Sequence, residues 1–207
     1  MKTAFLLLAF LASPAPAAVP RLVLVGGGER PPAALERFVA WAGGPGARVL
    51  VLGWASSEPA AAAVLADEIR PFGPATLDAV ASTASARDFD RLLSSATGVF
   101  FTGGDQVRLM AAVDALGLAE RLRAMAEAGV VFGGTSAGTA VMSPSMITGE
   151  GDFTRLARFK GCDSFGPRHI LPARRQAALP LLAEVRSRLG APVIPCGEPP
   201  ANGAALL

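Results

Sequence analysis

The chain has 207 residues, 51% hydrophobic and 17% charged, with a formal net charge of +2. That composition fills the core of one domain and excludes a disordered, highly charged tail protein. With 19 Lys and Arg against 17 Asp and Glu, and aromatics at 6% with no tyrosine, it argues against nucleic acid as a partner.

The first segment reads as an export signal and not as fold. Met1-Lys2 gives a positive start, and Ala4 to Ala12 form an apolar run. Ala15-Pro16-Ala17 then supplies the small-x-small pattern of a cleavage site. The expected organisation is a signal peptide over 1–17 and one domain over 18–207, periplasmic or secreted. The alternative is an uncleaved anchor, although the run is short for a span. No later stretch approaches the ~20 continuous apolar residues that a bilayer requires, so no membrane partner is expected after cleavage. Under oxidising conditions Cys162 and Cys196 are candidates for a disulfide; the alternative is two small buried hydrophobes. Two cysteines and one histidine are too few for a zinc site, and no metal is expected.

Short apolar runs alternate with helical patterns, the layout of βαβ units around a mostly parallel sheet. Arg21 to Val25 reads as a buried strand ended by Gly26-Gly27-Gly28, followed by a helix over Pro31 to Trp41 with proline at its start. Arg48 to Leu52 is a strand, and Pro59 to Arg70 an Ala-rich helix stopped by Pro71 and Gly73. A weaker strand over Ala75 to Val80 and a short helix over Asp88 to Ser95 come next. Gly98 to Thr102 is a strand running into Gly103-Gly104, and helices are expected over Gln106 to Ala115 and Leu118 to Ala128. Gly129 to Phe132 reads as a strand ending at Gly133-Gly134. Regularity then fades until a helix at about Arg174 to Leu189, with late strands at Val193 to Cys196 and Ala204 to Leu207. Three strands end in glycine pairs or triplets, and in open α/β sheets ligands bind at that carboxyl edge. There is no internal repeat and no linker.

Gly134-Thr135-Ser136-Ala137-Gly138 matches G-x-S-x-G between an apolar strand and a helix-forming run, the context of a nucleophile elbow. Glycines on both sides allow a sharp turn that exposes the serine oxygen, and the N–H of Ala137 can then face an oxyanion. A glycine-rich turn that binds phosphate or merely packs is the alternative. A nucleophilic serine needs a base, and His169 is the one histidine of the chain. Its orienting acid is Glu198 or Asp163. The order Ser136, His169, Glu198 argues against an α/β-hydrolase, which runs serine, acid, histidine. Gly103-Gly104-Asp105-Gln106 offers further backbone donors and a glutamine for a substrate amide or carboxylate; otherwise Asp105 simply caps a helix. Arg174 and Arg175 either pair with substrate carboxylates or form a solvated helix face.

These residues resemble the cyanophycinase and dipeptidase E family of serine peptidases. The resemblance rests on Leu24 to Gly28, Phe100 to Leu109 (FFTGGDQVRL) and Gly133 to Ser143 (GGTSAGTAVMS). It implies a class I glutamine amidotransferase-like fold, three-layered and flavodoxin-like, with helices on both faces of the sheet. It further implies Ser136 as nucleophile, His169 as base, Glu198 as the late acid, and Gly103 to Gln106 as the oxyanion and substrate loop. The implied substrates are small peptides or the aspartate–arginine polymer cyanophycin, with no cofactor; a homodimer is among the expected assemblies. Two departures stand out. Pro167-Arg168 occupies the place of the family's usual Asp-Gln before the histidine, and the arginines after it are reduced mainly to Arg174 and Arg175. An amidase or esterase, a binding protein on the same scaffold, and a phosphate binder remain the rival readings.

Overall fold

The computed structural model describes residues 21–80, 86–143, 146, 169–173, 193–197 and 204–206, the last three ranges as backbone strands. In chain order β1 (Leu22–Val25), α1 (Pro32–Trp41), β2 (Arg48–Leu52), α2 (Ala61–Ile69) and β3 (Thr76–Val80) come first. They are followed by α3 (Ala86–Ser95), β4 (Gly98–Phe101), α4 (Gln106–Ala115), α5 (Ala119–Glu127), β5 (Val131–Thr135) and α6 (Ala137–Ala140). Strands β6 (His169–Ala173), β7 (Val193–Gly197) and β8 (Ala204–Leu206) complete the set.

The main sheet has the order β3-β2-β4-β5-β1-β8. Its first five strands run parallel, and β8 lies antiparallel to β1 at the edge. Period-two alternation sends successive side chains to opposite faces. Val23, Val25, Val49, Val51 and Phe100 therefore meet α1 and α2, through residues such as Phe38 and Leu65. Leu22, Leu24, Leu50, Leu52 and Phe101 meet α3, α4 and α5 through Phe89, Leu109 and Leu122. Each such side chain contributes about 1.5–3 kcal/mol when fully buried. The result is three layers, as the sequence leads one to expect.

Strand β2 sits between β3 and β4, and the helices before and after β3 pack on opposite faces. The crossovers thus part at the carboxyl ends of β2 and β4, where open sheets form a crevice. The loops Gly53–Ser56 and Thr102–Asp105 lie at that edge, beside the end of β5.

Two features differ from the sequence reading. First, β5 does not stop at its glycines. It runs through Gly133 and Gly134 to Thr135, because it is paired on both sides, with β4 and with β1. A Cβ on Gly133 would lie 2.4 Å from the Phe100 ring, so packing selects glycine there without ending the strand. Second, β6 emerges where no regular element was expected and pairs in parallel with β7. Pro172 and Pro195 weaken both strand signals, yet a two-stranded sheet consists only of edges, where proline is tolerated. The helix expected over 174–189 and the signal segment over 1–17 lie outside the described residues. Among the described residues no helix is long and apolar enough to cross a membrane.

Candidate active site

The turn between β5 and α6 places Ser136 alone at its apex, with φ 52° and ψ −110°. It is the one non-glycine residue with positive φ among the described residues. Such a backbone costs on the order of 1–3 kcal/mol and persists only where surrounding bonds over-determine it. They do so here. The Ser136 N–H donates to the Val25 carbonyl at 3.0 Å, while its own carbonyl accepts from the N–H groups of Thr139 and Ala140, each at 3.0 Å. The Thr135 hydroxyl donates to the Gly26 carbonyl at 3.0 Å.

The flanking glycines have a steric reason. A Cβ on Gly134 would lie 2.4 Å from the carbonyl carbon and oxygen of Gly138, and one on Gly138 would lie 2.4 Å from the Phe101 carbonyl oxygen. Helix α6 therefore leaves the strand almost in backbone contact with β5 and β4. Ser136 itself remains half-buried while Thr135, Ala137 and Gly138 are buried. The Ala137 N–H, in the first turn of α6, is without an intrahelical acceptor by helix geometry.

The second glycine loop closes on this apex. Strands β4 and β5 are paired, with Phe101 opposite Gly134. A Cβ built on Gly103 would sit 3.4 Å from the Ser136 Cβ, so the Gly103 backbone faces that side chain directly. Gly104 has φ 142°. The Asp105 N–H donates to the Ala55 carbonyl at 2.8 Å, and an Arg108 guanidinium nitrogen lies 3.4 Å from the Ser56 carbonyl. The β2–α2 loop thus holds the β4–α4 loop in place. Asp105 is the N-cap of α4: its carboxylate accepts from Val107 N at 2.7 Å and Arg108 N at 3.1 Å. Of the two readings of Asp105, the structure supplies the cap. Gln106 opens α4 and is half-buried.

His169 begins β6, opposite Val193 in register, and that strand packs against α6. Cys196 lies in β7 opposite Pro172. Glu198, Asp163, Arg174, Arg175 and Cys162 lie outside the described residues. Among the described residues no group of three His, Cys, Asp or Glu side chains could hold a metal ion.

A separate cavity of about 800 Å³ is lined by Gly28, Leu35 and Phe72, among others. The Arg30 guanidinium pairs there with both carboxylate oxygens of Glu68, at 2.6 Å from Nε to Oε2 and closer from Nη2 to Oε1. Neither Ser136 nor the Gly103 loop lines it. The sequence reading missed the structural supports: Ala55, whose carbonyl anchors the second glycine loop, and Thr139, which was given no role of its own. A threonine three residues after an elbow serine was the available signal.

Residues 22–166 match the sequence profile of Peptidase family S51. Over 123 residues the chain is 40% identical to a cyanophycinase of Synechococcus elongatus and equally to one of Thermosynechococcus vestitus. Those alignments span 56% of this chain and 38% of each relative, so the chain matches well under half the length of these relatives. Its fold is similar to a crystal structure from Listeria monocytogenes EGD-e described as a peptidase E protein. The TM-score is 0.65 at 15% identity, covering 92% of this chain and 95% of that one. A peptidase from an acI-B1 Actinobacterium gives a TM-score of 0.61 at 18% identity, covering 88% and 82%. A strained serine between two glycines that leave no room for a side chain, faced by a second glycine loop, is thus found in a chain that belongs to Peptidase family S51.

Proposed function

We propose that the protein is an exported serine peptidase of the cyanophycinase kind. It would hydrolyse small peptides, including aspartate-containing and β-linked Asp-Arg peptides. The observation that carries the reading is the half-exposed Ser136 at φ 52°, with the Gly103 backbone against its side chain. Strain of this sort is retained where a side chain must be presented to a reacting group. The cyanophycinase relatives support the substrate class, and the apolar segment after Met1-Lys2 supports export.

In this mechanism His169 takes the Ser136 hydroxyl proton as Oγ attacks the scissile carbonyl. The carbonyl π electrons move to oxygen, and the Ala137 N–H with a backbone donor of the Gly103–Gly104 segment stabilises that charge. His169 next protonates the leaving amine, the C–N bond breaks, and an acyl-serine remains. Water, deprotonated by His169, then releases the acid and restores the serine. Glu198 or Asp163 would hold the imidazole in the required orientation.

The experiment is hydrolysis by the purified protein of cyanophycin, β-Asp-Arg, α-Asp dipeptides and a simple ester, with Ser136→Ala as control. Covalent labelling by a fluorophosphonate runs beside it. Peptide products that vanish in Ser136→Ala support the reading, and the preferred substrate defines the subgroup. Turnover of the ester alone selects an esterase. No turnover and no labelling of Ser136 moves the protein to a binding role on this scaffold. N-terminal sequencing of the protein recovered outside the cytoplasm checks cleavage after Ala17.

A further inference from the structure

We propose that the Thr139 hydroxyl is a positioning group that locks the backbone of Ser136 in its reactive conformation. This inference rests on the reading of Ser136 as nucleophile.

Thr139 is fully buried, the third residue of α6. A threonine in a helix ordinarily turns its hydroxyl back to the carbonyl three or four residues earlier, here Ser136 or Thr135. Thr139 bonds elsewhere. Its Oγ1 lies 2.7 Å from the Val25 carbonyl oxygen on the neighbouring strand and 2.6 Å from that of Gly134, five residues back. One hydroxyl proton is thus shared between the ends of β1 and β5.

The Val25 carbonyl is the same group that accepts the Ser136 N–H, and the Thr139 N–H donates to the Ser136 carbonyl. Val25, Ser136 and Thr139 therefore close a ring of three hydrogen bonds around the strained residue. Both peptide groups of Ser136 are tied, one directly to β1 and the other through Thr139 to the same carbonyl. The β-branched side chain restricts χ1, which keeps the hydroxyl aimed at that point. With the hydroxyl gone, the direct bond from α6 to the Val25 carbonyl is lost, and the Ser136 N–H is left as the donor to that group. The serine backbone can then relax, and Oγ moves relative to the Ala137 and Gly103 groups.

The test compares Thr139→Val, which keeps the volume, and Thr139→Ser, which keeps the hydroxyl, with wild type. Leu122→Ala, in α5, serves as a control for loss of stability alone. Fluorophosphonate labelling is resolved into binding and chemical steps, and peptide hydrolysis into KM and kcat. Thr139→Val is expected to lose about 100-fold in the labelling rate constant and in kcat, since displacement of about 1 Å has that effect, with binding constants little changed. Thr139→Ser should recover most of the rate, and Leu122→Ala should keep it despite a lower Tm. Should Thr139→Val not fold, Thr139→Ala is measured in its place, since it lacks the same hydroxyl. Labelling of the valine or alanine variant at the wild-type rate overturns the proposal, as does an equal loss in Leu122→Ala. Wild-type protein that is not labelled at Ser136 overturns the nucleophile reading, and this proposal with it.

Discussion

The carbonyl oxygen of Ala55 occupies the space where a side chain on Gly104 would begin: a Cβ there would lie 2.2 Å from that oxygen. Two loops at the carboxyl edge of the sheet are thereby packed backbone to backbone, and the contact fixes the direction in which the Gly103–Gly104 peptides face. Gly104→Ala must also adopt φ 142°, a conformation that L side chains rarely take. The expected outcome is a loop displaced from Ser136, with hydrolysis reduced on the order of 100- to 1000-fold, the effect of removing one oxyanion donor. Gly103→Ala, whose Cβ meets its nearest atom at 3.4 Å, should fold normally. Thermal melts of both variants beside their labelling rates check the contrast.

Ser136→Gly should separate strain from chemistry. Glycine adopts positive φ freely, so the substitution removes a strain of roughly 1–3 kcal/mol and adds an entropic cost of about 0.5–1 kcal/mol. The variant is expected to be about 1 kcal/mol more stable than wild type in urea unfolding, and inactive. Ser136→Ala, with the same backbone requirement, should show no such gain. A glycine variant less stable than wild type would mean that φ 52° carries no strain in this turn.

Gly138→Ala should be among the most damaging substitutions in the domain. Its methyl would enter the Phe101 carbonyl oxygen and Cβ at 2.4 and 2.7 Å, both fixed within β4. A loss of about 3 kcal/mol or more is expected, because neither neighbour can give way. Gly46→Ala, with nothing within 4 Å, should stay within about 0.5 kcal/mol of wild type. Denaturant unfolding of the pair measures the difference.

Asp105 is expected to act on stability through its cap. Asp105→Ala removes the acceptor for Val107 N and Arg108 N and should cost about 1 kcal/mol, typical of a lost N-cap. Asp105→Asn keeps an acceptor oxygen at the same place and should restore most of that loss. If hydrolysis falls with alanine and returns with asparagine, the cap supports the site by holding the loop. Loss with both variants assigns the carboxylate charge a direct role toward substrate.

Much of this protein is legible from local pattern. The largely continuous apolar runs Leu22–Val25, Arg48–Leu52 and Gly98–Phe101 and the helix over Gln106–Ala115 follow from residue type and spacing, because a strand buried on both faces is apolar throughout and a helix buries one stripe. The same holds for G-x-S-x-G, where two glycines around a serine announce a turn too tight for side chains. Local pattern was weaker where proline interrupts a strand, as at Pro172, or where glycines stand inside one, as at Gly133 and Gly134. In those places pairing on the strand's flanks decides the conformation, and no short window of sequence contains its partners.

The sequence by itself determined the elements from β1 to α5 and which serine stands at the apex, but not β6 or the end of β5. Tertiary structure alone decided what surrounds that serine. Pairing of β4 with β5 brings Gly103 against Ser136, and pairing of β1 with β5 delivers the Val25 carbonyl that holds its N–H. The β2–α2 loop adds Ala55 beneath Gly104. Periodicity and turn chemistry act over a few residues, whereas strand order is set by how the crossovers wind around the sheet. The Ser136 carbonyl is held by the nearby Thr139 and Ala140 N–H groups, but its N–H is held by the Val25 carbonyl, distant in sequence, which reaches it only in the folded chain.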